Sequence, residues 1–211
     1  LEFRRVLLRS LFSGSAPLAP EVKKFLQCAL SIPLVDGYGQ TEGMGAEFIV
    51  DIRDRRTEVV GGPLGMLEFK LIDVPEMNYH ATDLDDKGKL SPRGEILIRG
   101  PNVFLGYYKN EKLTKEAIDE DGWLHSGDIG QITSDSSNAL KIIDRIKNIF
   151  KLSQGEYIAP ERLEQFYKTT PGIADILVYG DSFQSTLVAI VNLDEKPALR
   201  IAKDNNIPVT T

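Results

Sequence analysis

The sequence predicts a multidomain α/β and α+β protein, in which an α/β unit is followed by a β-rich subdomain and then by part of a small α+β domain. Three observations support this order. The first 60 residues follow a pattern of strand, glycine turn, helix and strand, hydrophobicity with a period of two follows Gly61, and alternating helix and strand patterns return beyond Gly155. A chain of 211 residues with 42% apolar and 27% charged residues can bury a substantial core as an ordinary globular protein.

The α/β unit comes first. An apolar run over residues 6–12 predicts a strand that ends near Gly14, and a second run over residues 32–35 predicts a strand that leads to Gly37. Between them, after Pro20, apolar residues recur at helical spacing: Val22, Phe25, Leu26 and Leu30. Cys28 is expected to be a small buried thiol of this helix. Since ligands bind at the carboxyl ends of strands in such units, the two glycine-bearing strand ends are candidate parts of a site.

The β-rich subdomain is indicated by two alternating runs, Leu67-Phe69-Leu71 and Ile96-Ile98, separated by a polar stretch. A short helix is predicted after Asn110, a good N-cap, and a further strand over residues 140–143. The small domain should then contain a helix led by Pro160, strands over residues 173–178 and 187–193, and a helix that starts near Pro197.

Charge and composition exclude several classes of function. The formal net charge of -6 disfavours a nonspecific nucleic-acid binder, which needs clustered Lys and Arg. Cys28 is the only cysteine, and His80 and His125 lack a second ligand at metal-binding spacing. No apolar run approaches the roughly 20 residues of a membrane span. The chain opens with Leu1-Glu2-Phe3 instead of a start Met, and we therefore expect it to be cut from a longer protein.

The first chemical motif is Gly37-Tyr38-Gly39-Gln40-Thr41-Glu42-Gly43. Glycines let a ligand approach the backbone, while Tyr38 can stack on a flat base, Thr41 can donate to a phosphate and Glu42 can bind Mg²⁺. A glycine-rich structural turn explains the same residues equally well.

The second motif is the stretch from Asp121 to Gly130, in which Asp128 follows Gly127. An Asp in this context can accept hydrogen bonds from both hydroxyls of a ribose. Taken alone, an ordinary Gly-Asp β-turn is favoured. The third motif, residues 144–151, carries three cations that could neutralise phosphates or span a hinge, although a solvated surface explains such a charge run as well.

The combination and order of the motifs resemble those of the adenylate-forming superfamily of acyl-CoA synthetases, luciferases and peptide-synthetase adenylation domains. Within it, the sequence is most similar to long-chain fatty acyl-CoA synthetases. The resemblance is carried by Gly122-Trp123-Leu124-His125, Lys141-Ile142-Ile143-Asp144-Arg145, the run from Gln154 to Glu161, the run from Asp73 to Tyr79, Gly100-Pro101-Asn102-Val103-Phe104, and Tyr179-Gly180-Asp181-Ser182.

The resemblance implies a reaction in two steps. The carboxylate of a long-chain fatty acid attacks the α-phosphate of ATP to give acyl-AMP and pyrophosphate, and the thiol of coenzyme A then displaces AMP. It also implies that residues 1–60 are the end of a doubly wound α/β subdomain and residues 61–143 a distorted β-barrel-like subdomain. Residues 144–151 would be a hinge linker, and residues 152–211 the start of an incomplete C-terminal domain.

Site residues are likewise implied by the resemblance. The loop Gly14-Ser15-Ala16 would face one side of adenine and Tyr38 the other, with Gly39 and Gln40 in the same nucleotide-binding loop. Thr41 would contact phosphate, and Glu42 would bind Mg²⁺.

Further along the chain, the resemblance implies that Asp128 binds the ribose and that Arg145 supports the same sugar. Lys147 would lie in the hinge and take part in catalysis, and Gly155 and Glu156 would lie near coenzyme A. The family's phosphate loop and its late lysine have no counterpart in these residues, so the chain alone is expected to be inactive. Asn148 replaces an acid that is common in the linker.

Two alternatives stay open: a noncatalytic nucleotide-binding or structural module, and a luciferase-like oxygenase. The net charge of -6 leads us to expect no nucleic-acid partner. The resemblance implies location on the cytosolic side of the endoplasmic reticulum, the mitochondrial outer membrane or the peroxisome, with membrane association only through segments outside these residues.

Overall fold

A computed structural model of the chain describes residues 9–15, 18–146, 149–154, 157–181 and 183–205. The chain divides into two compact units, Leu1–Ile143 and Asp144–Thr211. Within the described residues, none of the helices is both long and apolar enough to span a membrane.

Among its described residues, the first unit contains two four-stranded sheets and two α-helices. Its elements are β1 (Leu11–Ser13), α1 (Pro20–Leu30), β2 (Leu34–Tyr38), β3 (Phe48–Ile49), β4 (Gly62–Pro63), β5 (Glu68–Ile72), β6 (Arg93–Arg99), α2 (Glu111–Ala117), β7 (Leu124–Ile132) and β8 (Leu140–Arg145). The last two residues of β8 belong to the second unit.

The first sheet has the order β1-β2-β3-β4. Strands β1 and β2 are parallel, with Ser13 beside Asp36, and α1 makes the connection between them. This confirms the predicted α/β unit. Gly14 directly follows β1, and Tyr38 is the last residue of β2. Because parallel neighbours end at the same edge of a sheet, both residues lie at one edge.

The second sheet has the order β5-β6-β7-β8 and is open, with no closed barrel among the described residues. The period-two prediction is confirmed, since β5 and β6 pair antiparallel with Phe69 opposite Ile98. Phe48, Ile96, Ile98 and Leu140 form a buried cluster, each no more than 1% exposed. Full burial of each such side chain stabilises the fold by roughly 1.5–3 kcal/mol.

Helix α1 corrects one expectation. Cys28 is exposed, not buried, and Phe25 on the same helix is 69% exposed. The fully buried side chain is instead that of Lys23, whose ammonium group forms an ion pair with Asp36 and donates to the carbonyl of Arg56 at 2.8 Å. The inward face of the helix thus carries a charged side chain whose partner lies on β2.

The predicted cap of α2 is confirmed. The side-chain oxygen of Asn110 accepts a hydrogen bond from the backbone N–H of Leu113 at 3.1 Å. Thr114, one turn further on, accepts from the backbone N–H of Tyr107 at 2.9 Å, and this bond ties the preceding loop to the helix.

In the part of the second unit that the structure describes there are two two-stranded antiparallel sheets and two α-helices. Its elements are β9 (Phe150–Lys151), β10 (Tyr157–Ile158), α3 (Pro160–Lys168), β11 (Ile173–Gly180), β12 (Leu187–Leu193) and α4 (Glu195–Asp204). Helix α3 packs against β11, and Glu164 accepts a hydrogen bond from the backbone N–H of Val178 at 2.8 Å. The predicted helices and strands of this part of the chain are confirmed.

Candidate active site

The glycine-bounded tyrosine loop lies at the end of β2 and turns sharply. The carbonyl of Gln40 accepts hydrogen bonds from the backbone N–H groups of Gly43 at 3.1 Å and Gly45 at 3.0 Å. A Cβ atom at Gly39 would lie 1.7 Å from the carbonyl oxygen of Gly45, so only glycine fits there. This turn leaves Thr41 exposed at the start of a 3₁₀ helix over Thr41–Gly43.

Gly14 lies beside the same loop. A Cβ atom at Gly14 would lie 3.4 Å from the carbonyl oxygen of Gly37, which shows how closely the two strand ends approach. Ser15 follows with a positive φ of 71°, in the left-handed region. Ala16 lies outside the described residues.

Tyr38 and Asp128 meet although 90 residues separate them in sequence. The hydroxyl of Tyr38 donates to Oδ2 of Asp128 at 2.7 Å, and Asp128 is only 6% exposed. Burial, together with the charge of Asp128, raises the pKa of Tyr38 far above its ordinary value, so the phenol stays protonated and keeps donating. The structure thus brings together the predicted base-stacking residue and the predicted ribose-binding acid.

Glu42 is held by a segment that sequence reasoning did not single out as functional. The hydroxyl of Tyr107 donates to Oε1 of Glu42 at 2.6 Å, and the backbone N–H of Phe104 donates to the carbonyl of Glu42 at 2.8 Å. The side-chain amide of Asn102 donates to the carbonyl of Gly43 at 2.8 Å. Three contacts from residues 102–107 therefore fix the turn that presents Thr41 and Glu42.

Glu47 is a second acid that sequence reasoning missed. It is fully buried, and the described residues give its carboxylate oxygens no hydrogen bond of normal geometry. Burial raises the pKa of Glu47 to about 8. The nearby backbone N–H of Gln40 partly opposes this rise, whereas the negative charges of Asp128 and Glu42 add to it. At neutral pH Glu47 is therefore mostly a neutral acid behind the loop. The sequence around it, Ala46-Glu47-Phe48, does not indicate that this acid is buried.

The remaining predicted site residues belong to the second unit. Arg145 ends β8, and its backbone N–H donates to Oδ1 of Asp144 at 3.0 Å. Lys147, Asn148, Gly155 and Glu156 lie outside the described residues.

The fold is similar to that of adenylation domains of known structure. The A domain of a carboxylic acid reductase from Segniliparus rugosus, solved in complex with AMP and a co-purified carboxylic acid, superposes with a TM-score of 0.73 at 34% identity, over 93% of this chain and 31% of that one. This confirms the predicted fold class.

The chain belongs to the AMP-binding enzyme family, whose profile matches residues 3–108. It is 50% identical to the peroxisomal long chain acyl-CoA synthetase 6 of Arabidopsis thaliana over 89% of this chain and 26% of that protein. It is 47% identical to the human long-chain-fatty-acid–CoA ligase 6 over 87% of this chain and 25% of that protein. The chain thus spans about a quarter of the length of these relatives.

Proposed function

We propose that these residues form the nucleotide half of the active site of a long-chain fatty acid–CoA ligase. In the proposed reaction the fatty acid carboxylate attacks the α-phosphate of ATP, pyrophosphate leaves, and the thiol of coenzyme A then displaces AMP from the acyl-adenylate. Membership of the AMP-binding enzyme family and the identity to acyl-CoA synthetases support this proposal.

The hydrogen bond between Tyr38 and Asp128 carries the proposal. It places an aromatic ring and a nearly buried carboxylate side by side at the strand edge where α/β units bind ligands. A ring that stacks on adenine and an acid that accepts hydrogen bonds from the ribose hydroxyls can be no further apart than the length of one nucleoside. The side chains of Tyr38 and Asp128 meet this condition, because they are in direct contact. Gly14 and Ser15 on the neighbouring strand end would face the other side of the base, with Ala16 beside them.

Glu42 is the proposed Mg²⁺ ligand. The structure describes no cluster of three His, Cys, Asp or Glu side chains suited to a metal. A single carboxylate still fits Mg²⁺, which protein sites usually hold with one or two carboxylates, waters and substrate phosphates. The hydrogen bond from Tyr107 fixes the direction of the Glu42 carboxylate. When bound, the ion would neutralise phosphate charge, and exposed Thr41 would donate to a phosphate oxygen.

The second unit is proposed to supply the moving part of the enzyme. The division of the chain after Ile143 supports a hinge over residues 144–151, with Lys147 in it and Arg145 directed to the ribose. Gly155 and Glu156 would approach coenzyme A after the domain rotates. On the same basis, residues 1–60 and 61–143 are proposed as two subdomains of one nucleotide-binding domain and residues 152–211 as the start of the C-terminal domain. For the full-length protein we propose a location on the cytosolic side of the endoplasmic reticulum, the mitochondrial outer membrane or the peroxisome, and the peroxisomal name of the Arabidopsis relative supports the last of these.

The test measures pyrophosphate release by the full-length protein that carries these residues, with a series of fatty acids and with or without coenzyme A. Asp128→Ala should lower the rate at least about a hundredfold, because each hydrogen bond to a charged group contributes about 1.5–3 kcal/mol. Asp121→Ala is the matched control, since Asp121 is an exposed acid seven residues earlier in the chain. An Asp128→Ala enzyme as active as the control would rule out the proposed site.

A further inference from the structure

An irregularity in the second sheet presents Asp128 to Tyr38. Glu95 on β6 pairs with Ile129 on β7, whereas Leu97 pairs with His125. Between these pairs β6 has one residue, Ile96, and β7 has three: Ser126, Gly127 and Asp128. The extra residues make a bulge, a device that redirects a side chain away from its regular face. Gly127 in this bulge has a positive φ of 71°.

Glu95 closes the bulge from the neighbouring strand. Its Oε1 accepts a hydrogen bond from the backbone N–H of Gly127 at 3.1 Å. The regular ladder cannot satisfy this N–H, because the bulge has removed its backbone partner on β6. The side chain of Glu95 is only 12% exposed, so its bond to Gly127 is largely shielded from water.

His125 holds the other oxygen of Glu95. Its Nδ1 lies 3.2 Å from Oε2 of Glu95, and its Nε2 lies 3.8 Å from Oδ2 of Asp119. An ionised carboxylate only accepts, so the closer contact is a hydrogen bond when His125 carries a proton on Nδ1. Asp119 is itself fixed, since its Oδ1 accepts from the backbone N–H of Trp123 at 2.8 Å. A chain of contacts thus runs from Asp119 to the residue before Asp128.

Inside the bulge, the backbone N–H of Asp128 donates to the hydroxyl of Ser126 at 3.0 Å. This local bond orients Asp128 relative to Ser126, but both residues belong to the same irregular segment. Glu95 is the group on a regular strand that ties this segment to the sheet. Asp128 thus directly follows a residue whose backbone N–H is held by Glu95, an acid 33 residues earlier in the chain than Asp128.

We propose that Glu95 is the positioning residue for Asp128: by fixing the backbone of Gly127, and itself fixed by His125, it sets the carboxylate where ribose hydroxyls are bound. This inference rests on the proposed nucleotide site. It assigns Glu95 a part in selecting ligands that carry these hydroxyls, without direct contact with them.

The test compares the affinity of the full-length protein for AMP with its affinity for 2′,3′-dideoxy-AMP, which lacks both ribose hydroxyls. The ratio of the two dissociation constants isolates the contribution of the hydroxyls, so a general loss of affinity through weaker folding cancels. Four variants are measured: Asp128→Ala, Glu95→Ala, Glu95→Gln and, as control, Glu68→Gln. Glu68 lies on the adjacent strand, where it forms an exposed ion pair with Arg99, so its substitution removes a carboxylate of the same sheet without touching the bulge.

Wild type and Glu68→Gln should both prefer AMP, and Asp128→Ala should abolish the preference. Glu95→Ala should lower it at least about tenfold, and Glu95→Gln should restore part of it, because a neutral acceptor bonds about half as strongly as a charged one. If Asp128→Ala keeps the preference, the nucleotide site itself is wrong. If Asp128→Ala loses it but both Glu95 variants keep it, only the positioning role is overturned. Should Glu95→Ala not fold, Glu95→Gln decides: an unchanged preference contradicts the inference, and a drop of about threefold or more supports it.

Discussion

Replacing Tyr38 by Phe removes one oxygen atom and tests the contact on which the candidate site depends. In the folded chain the Tyr38 hydroxyl donates to Asp128 at 2.7 Å, and Asp128 is 6% exposed. The ring itself remains, with its centroid 5.9 Å from that of Phe48. The substitution therefore changes hydrogen bonding and leaves most of the apolar contact in place.

The expected cost follows from the burial of the acceptor. A hydrogen bond to a charged group contributes about 1.5–3 kcal/mol, and a buried carboxylate that loses a donor also loses compensation for its desolvation. Since little water reaches Asp128, we expect the free energy of unfolding of the first unit to fall by about 3 kcal/mol, the upper end of this range. Nucleotide binding should suffer less, because a ribose hydroxyl can take the place of the lost donor.

Urea unfolding followed by tryptophan fluorescence measures this loss. Trp123 is the only tryptophan of the chain and lies in the first unit, so its signal reports on that unit. Tyr108→Phe makes the same chemical change at a residue that is 87% exposed and should leave the unfolding midpoint unchanged. A loss below about 0.5 kcal/mol for Tyr38→Phe would show that the bond contributes little, and the reasoning would fail.

Two further predictions concern buried charges in the same unit. Glu47 has a pKa raised from 4.5 to about 8 on folding, so the folded chain holds a proton that the unfolded chain has released, and stability should fall as pH rises across that window. The slope is at most about 1.4 kcal/mol per pH unit, and urea titrations at several pH values should find it smaller in Glu47→Gln; an equal slope would contradict the assignment. Lys23→Ala removes the charged partner of the Asp36 carboxylate and should lower the free energy of unfolding by about 3–5 kcal/mol. Substitution of the exposed Lys24 should lower it little. A similar result for the two lysines would show that the buried pair is not coupled.

Much of the secondary structure could be predicted from local signals. The cap at Asn110, the proline that opens α3 and the alternating residues of β5 each act over a few positions, so the sequence pattern alone reveals them. The burial of α1 could not be predicted in this way. Its fully buried side chain is that of Lys23, whose partner Asp36 lies 13 residues further along the chain on β2, and the apolar spacing of the helix does not show where that carboxylate lies.

The candidate site shows the same division. The glycine motif and Asp128 are candidates because of the family resemblance, since residue type alone leaves the glycine motif open and favours an ordinary β-turn at Asp128. Tyr107 and Glu95 act through partners 65 and 32 residues away, on other elements, and only the folded pairing of strands and loops brings them into contact. The positions of Arg145, Lys147, Gly155 and Glu156 relative to the nucleotide stay predictions.

The three-against-one pairing of β7 with β6 also determines how the segment can vary in length. Side chains on a strand alternate between its two faces, so deleting a single residue from 126–128 would turn every later residue of β7 over. Ile129, which has no exposed surface, would exchange faces with its neighbours, and the apolar core would lose its lining together with the carboxylate. Inserting or deleting a single residue here should therefore destabilise the sheet more than a substitution such as Asp128→Ala, which leaves the alternation of faces intact.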